Sequence, residues 1–175
     1  MSLRSLIAAI TFGLLLPPAA GADVKIASPD TLVIEHRFAI AATPEAAWQA
    51  LVQPARYWPD AHTWSGDASN LSLAAEAGGC FCERWAGGSA EHGRVIMAVP
   101  GKVLRFRGSL GPFQEMGVTG VMTIALAASP TGTEAVVTYR LVGNAAHRLG
   151  DMAPGVDPVI RQQFAGLEAL AAQAR

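Results

Sequence analysis

Charge is scarce in this sequence. Asp, Glu, Lys and Arg make up only 15% of its 175 residues, and the formal net charge is −1. The basic residues form no patch, so the chain has no electrostatic footprint for nucleic acid or for an anionic membrane surface. The motifs of the familiar catalytic classes are missing as well. There is no G-x-S-x-G nucleophile elbow, no H-E-x-x-H metal helix, no phosphate loop and no G-x-G-x-x-G turn. Neither an internal repeat nor a low-complexity stretch occurs. Long apolar runs are limited to Leu6–Leu16, which falls short of the roughly 20 residues that span a bilayer. The cysteines are two, Cys80 and Cys82, too few for the disulfide framework of a small secreted scaffold.

The N-terminus carries a pattern of its own. Arg4 precedes the apolar run, Pro17-Pro18 ends it, and Ala20-Gly21-Ala22 places small residues at the positions a signal peptidase reads. This predicts a cleavable signal peptide over residues 1–22, cut after Ala22, and a mature protein that is periplasmic or secreted. No cysteine follows the cut, which argues against lipoprotein processing. No stable membrane insertion is expected once the leader is gone. What remains suits one domain: a linker over 23–30 and a single folded unit over 31–175.

Hydropathy within that unit has two periods. Residues 31–41 alternate, with Leu32, Ile34, Phe38 and Ile40 on one face and Glu35 and Arg37 on the other, the pattern of a half-buried strand. Thr43-Pro44-Glu45 then reads as a helix start, and Ala47, Trp48, Leu51 and Val52 recur at helical spacing before Pro54. A second short helical turn carries Tyr57 and Trp58. From Asn70 onward the period is 2: strands are expected over 70–75, 80–86, 92–99, 102–108, 119–128 and 133–142, separated by glycine- and proline-bearing turns. The end is helical, with Asp157 as N-cap, Pro158 at the first helical position, and Ile160, Phe164, Leu167 and Ala171 as an apolar stripe. Segregated elements of this kind give an α+β fold, a curved antiparallel sheet with a long C-terminal helix across it.

That order, with Thr43-Pro44-Glu45-Ala46-Ala47-Trp48, Leu51, Tyr57-Trp58, Gly78-Gly79, Gly93-Arg94-Val95 and Val99-Pro100-Gly101-Lys102-Val103-Leu104 in place, resembles the helix-grip (SRPBCC, START-like) superfamily. Its branches include the polyketide cyclase/dehydrase group and the Hsp90-activator-like proteins. The resemblance runs over about residues 31–174. It implies a sheet that grips the last helix and leaves a hydrophobic cavity for apolar ligands between them. The leader sets this chain apart from the cytoplasmic Hsp90-activator type, so neither Hsp90 nor ATP is expected as a partner.

No residue is assigned a catalytic role, but three groups stand out. Cys80-Phe81-Cys82 is the most unusual local feature. In a regular strand residues i and i+2 lie at the edge of disulfide reach, so a strained disulfide, a thiol pair, an intermolecular bond or a soft-metal site with His92 all fit. With at most three ligands in view, no strong metal site is expected, and no cofactor. Glu83 shares a face with Phe81 and Trp85; if that face is buried, the carboxylate needs a partner or a raised pKa. His36 lies on the apolar face of its strand, and Glu83 with His36 or His92 would be natural acid/base machinery for a cyclase or dehydratase. Trp58, Trp64, Phe81, Trp85, Met97, Phe106, Met122 and Tyr139 are the expected pocket wall for a small apolar ligand. His62 and Trp64 would sit at its mouth, and the glycines of Gly108–Gly120 around Phe113 suit either a lid or a plain surface loop. Three functions are compatible with this: an exported ligand carrier, an enzyme of the cyclase/dehydratase type, and a protein-interaction module with a filled core.

Overall fold

The computed structural model describes residues 23–173; the leader expected over 1–22 lies outside the described residues. The seven alternating segments become strands and residues 23–27 add an eighth: β1 (Asp23–Ala27), β2 (Thr31–Ile40), β3 (Leu71–Leu73), β4 (Cys80–Trp85), β5 (Gly88–Val99), β6 (Val103–Arg107), β7 (Thr119–Ser129) and β8 (Gly132–Val142). They form one antiparallel sheet in the order β1-β2-β8-β7-β6-β5-β4-β3. Helix α1 (Pro44–Leu51) follows β2, and helix α2 (Ala153–Ala172) closes the chain. This is the open helix-grip α+β architecture.

The local reasons are plain in the sequence. Leu32, Ile34, Phe38 and Ile40 of β2 are all buried, with Arg37 and Ala39 exposed between them. Thr43 Oγ1 accepts the Ala46 N–H at 3.2 Å and so caps α1, a contact worth about 1 kcal/mol. Ile160, Phe164, Leu167 and Ala171 of α2 are at most 2% exposed and pack toward β2 and α1. Among the described residues no helix is long and apolar enough to cross a membrane.

Two expectations are corrected. Residues 23–30 are not simply a linker: Asp23–Ala27 pairs with β2 as an edge strand. Helix α2 starts four residues before Asp157, and Pro158 lies inside it rather than at its first position. Pro154 takes the first-turn place instead, where a missing N–H is harmless. Asp157 is thereby free to face the sheet.

Two irregularities in β5 position the site. Gly93 pairs with Phe81 while Glu91 pairs with Cys82, so His92 is an extra residue in the ladder. Val95 pairs with Phe106 while Met97 pairs with Arg105, so Ile96 is a second one. Each bulge breaks the in-out alternation. His92 and Gly93 both turn inward, and Ile96 and Met97 both turn outward.

Candidate functional site

The bulge at His92 aims its ring at Glu83 across the β4–β5 ladder. His92 Nε2 lies 2.9 Å from Glu83 Oε2. The carboxylate also accepts the backbone N–H groups of Trp64 at 3.0 Å and Ser65 at 2.5 Å. Glu83 has no solvent exposure and His92 has 4%. Burial pushes the Glu83 carboxyl up, but the hydrogen bonds from Ser65, Trp64 and His92 outweigh it and hold the group below its ordinary value. Glu83 therefore meets burial by gaining partners, and it stays anionic. It also ties the 62–65 loop to the sheet.

That loop forms one side of a cleft of about 580 Å³ between the sheet and α2. Trp58, Trp64, Leu110, Phe113, Val156 and Ile160 supply most of its apolar wall, and His62, His92, Tyr139 and Gln163 its main polar points. The rim is fastened on two sides. Trp58 Nε1 donates to the His62 carbonyl at 3.1 Å, and His62 Nε2 meets Gln162 Oε1 of α2 at 3.1 Å. Opposite, the Leu110 N–H donates to the Tyr139 hydroxyl at 2.9 Å, which in turn lies 3.3 Å from the Gly108 carbonyl. Burial raises the Tyr139 phenol, so it stays protonated. Within the 108–120 loop Gly111 and Gly117 take φ of 57° and 66°, conformations that favour glycine, and Phe113 between them is buried.

Of the eight expected wall residues, Trp58, Trp64 and Tyr139 line the cleft. Phe81 and Phe106 lie behind Trp58 in the core: the Trp58 ring meets Phe81 edge-on at 5.2 Å, and Phe81 meets Phe106 at 5.7 Å. Met122 is fully buried and outside the cleft wall. Met97 is 40% exposed because the Ile96 bulge turns it to the outer face. Trp85 is not in the wall either; it lies over Gly88 at the end of the β4–β5 hairpin, where a Cβ on Gly88 would come within 2.5 Å of the indole. The wall residues from the first turns of α2, Val156, Val159 and Gln163 among them, were not among the expected ones.

The other candidates sit apart. His36 is buried on β2 with Nε2 3.0 Å from Asp157 Oδ1 of α2, within ion-pair range but off the hydrogen-bond axis. It pins sheet to helix and does not line the cleft. Cys80 and Cys82 are joined by a disulfide, their Cα atoms 5.4 Å apart. Glu91 Oε lies within 4.8 Å of both sulfurs, but a bonded pair offers no thiolate to a metal. His92, the residue a soft-metal site would have needed as its third ligand, points instead to the inner face with Glu83.

Comparison with known proteins agrees with this fold. The family described as polyketide cyclase/dehydrase and lipid transport matches residues 31–172. No curated protein matches the sequence significantly. A solved protein from Rhodobacter sphaeroides superposes with a TM-score of 0.61 at 20% identity, covering 89% of this chain and 100% of that one. Protein MLL2253 from Mesorhizobium loti gives 0.55 at 24%, covering 83% and 98%. The di-domain ARO/CYC protein StfQ of the steffimycin biosynthetic pathway gives 0.55 at 10%, covering 83% of this chain and 52% of that one. At such identities the superpositions speak for the fold, while the family match spans most of the sequence: the chain belongs to the polyketide cyclase/dehydrase and lipid transport family.

Proposed function

We propose that this protein is exported and binds a small hydrophobic or amphipathic molecule in the cleft between the sheet and α2. The observation that carries the reading is the cleft: about 580 Å³, with an apolar wall and a few polar points. That is the size and chemistry of a small-molecule site. The family description, which joins polyketide cyclisation with lipid transport, supports an apolar ligand. Native mass spectrometry of the mature protein, purified gently from the cells that make it, is expected to show a retained small molecule. A bare polypeptide mass that also stays bare after incubation with apolar compounds would favour the interaction-module reading. Export rests on the Arg4, Leu6–Leu16 and Ala20-Gly21-Ala22 pattern. N-terminal sequencing of the recovered protein is expected to begin at Asp23, and an intact residue 1 would contradict it.

A second reading, a cyclase/dehydratase-like enzyme, is favoured by one contact. Glu83 and His92 meet at 2.9 Å, and His92 is itself part of the cleft wall. A carboxylate that holds one ring nitrogen orients the imidazole, and the other nitrogen is then the one a substrate would meet. In that role His92 moves the proton and Glu83 positions it.

A further inference from the structure

The second nitrogen of His92 shows what a bound molecule must offer. His92 is 4% exposed and belongs to the cleft wall. Its ring packs against Phe81, centroids 5.0 Å apart, and Glu83 Oε2 holds Nε2 at 2.9 Å. The carboxylate is anionic and can only accept, so Nε2 carries the proton and, in the neutral ring, Nδ1 presents its lone pair. Nδ1 has no hydrogen-bond partner among the described residues, yet it is not sealed. The unpaired side-chain atoms closed to solvent are His36 Nε2, His147 Nδ1, Asp157 Oδ1 and Gln163 Oε1. A ring that faces inward and lines the cleft has its opening toward the cleft. The neighbouring polar groups are spent elsewhere. Tyr139 is engaged with Leu110 and Gly108, and Thr63 Oγ1 with the Asp60 carbonyl. His62 meets Gln162 at the half-buried rim, where water competes. His92 Nδ1 is thus the buried side-chain acceptor that the wall leaves open.

Charge narrows the class further. Among the described residues that line the cleft there is no lysine or arginine, and the one carboxylate, Asp151, is paired with Arg148. An anionic head group, a fatty-acid carboxylate or a phosphate, would find no fixed cation there. We infer that the cleft takes an uncharged, largely apolar molecule bearing a hydroxyl, and that this hydroxyl donates to His92 Nδ1, with Glu83 fixing the ring tautomer that accepts it. The inference rests on the ligand-binding reading above and adds the class of ligand to it.

The test uses three two-ring probes of equal apolar body: 1-naphthol, 1-methoxynaphthalene and 1-naphthoate, each competed against the neutral dye Nile red at neutral pH. The mature wild-type protein is expected to bind 1-naphthol about tenfold more tightly than either other probe, because only naphthol is both neutral and a donor. His92→Phe keeps a ring against Phe81 and removes the acceptor. The ratio of naphthol to methoxynaphthalene affinity, taken within the variant so that a general loosening of the cleft cancels, is expected to fall to about one. Nitrogen NMR of the wild type reads the tautomer directly: His92 Nδ1 should resonate as an unprotonated nitrogen and move on addition of naphthol but not of methoxynaphthalene. Equal wild-type affinities, tightest binding of naphthoate, a protonated Nδ1, or a preference that survives in His92→Phe would overturn the inference. So would failure of all three probes where Nile red still binds, with the ligand-binding reading left standing. If nothing binds, Nile red included, both fall. Should His92→Phe not fold, the wild-type affinities and the NMR shifts decide.

Discussion

Replacing Glu83 by alanine is expected to cost about 3–5 kcal/mol of unfolding free energy, because several buried donors lose their acceptor at about 1–3 kcal/mol each. The carboxylate accepts from Trp64, Ser65 and His92, and alanine would leave all three donors facing a void. Glu83→Gln keeps the shape, and removing a buried charge would ordinarily help. Here it is expected to cost about 1–3 kcal/mol, because the new amide NH₂ must face a donor that the carboxylate had satisfied. The pH dependence follows from the direction of the shift. Glu83 is held below its ordinary value of 4.5, so its stabilisation is complete above that value and is lost as the pH falls through the lower, folded value. Urea unfolding at neutral pH and at about pH 3.5 should show a larger acid loss for wild type than for Glu83→Gln; an equal loss would show that this carboxylate does not govern the acid limb. The same variant separates carrier from enzyme. A carrier with Gln at position 83 still binds apolar probes, whereas an enzyme that relies on this pair loses turnover by ~100-fold or more while still binding.

Trp58→Ala and Trp64→Ala are expected to differ sharply, although both residues line the cleft. Trp58 is 6% exposed, meets Phe81 at 5.2 Å and Phe164 at 6.5 Å, and holds the His62 carbonyl through Nε1. Its removal opens the core behind the cleft as well as the wall, so a loss of ~3–5 kcal/mol is expected along with loss of binding. Trp64 is 52% exposed at the rim. Trp64→Ala should leave stability within about 0.5 kcal/mol and weaken probe binding about tenfold, the equivalent of roughly 1.4 kcal/mol of contact. Trp85→Ala, outside the wall, is the control for binding. Thermal melts and probe titrations of the three variants check the ordering; binding that depends on Trp85 and not on Trp64 would move the site from the cleft to the β4–β5 hairpin.

The strands were legible because alternation survives in most of them: β2, β6, β7 and β8 keep their phase from end to end. Glu83 was placed inward by its phase with Phe81 and Trp85, and the structure has it buried. The bulges were not legible, because one inserted residue leaves no compositional mark. That is why Met97 was read as facing inward, and why His92 and Glu83 could be named together but not joined. The start of α2 was misplaced because Pro154 and Pro158 both satisfy the first-turn rule. Beginning the helix at Asp157 hid Val156 as a helical wall residue. Gln163 falls on the apolar stripe of α2, but a lone glutamine there carries no sign of an unpaired oxygen until the packing is known. His62 and Trp64 were placed at a mouth by their position between elements, and both border the cleft, as does the stretch from Leu110 to Phe113.

Titration of the mature wild-type protein with Nile red, followed by its fluorescence, tests the central claim most directly. A cleft of this size and lining predicts saturable uptake of one dye per chain, with the blue shift of an apolar environment and displacement by a second small apolar compound. Dye fluorescence that stays at its aqueous value throughout, in a protein that melts cooperatively, would contradict it.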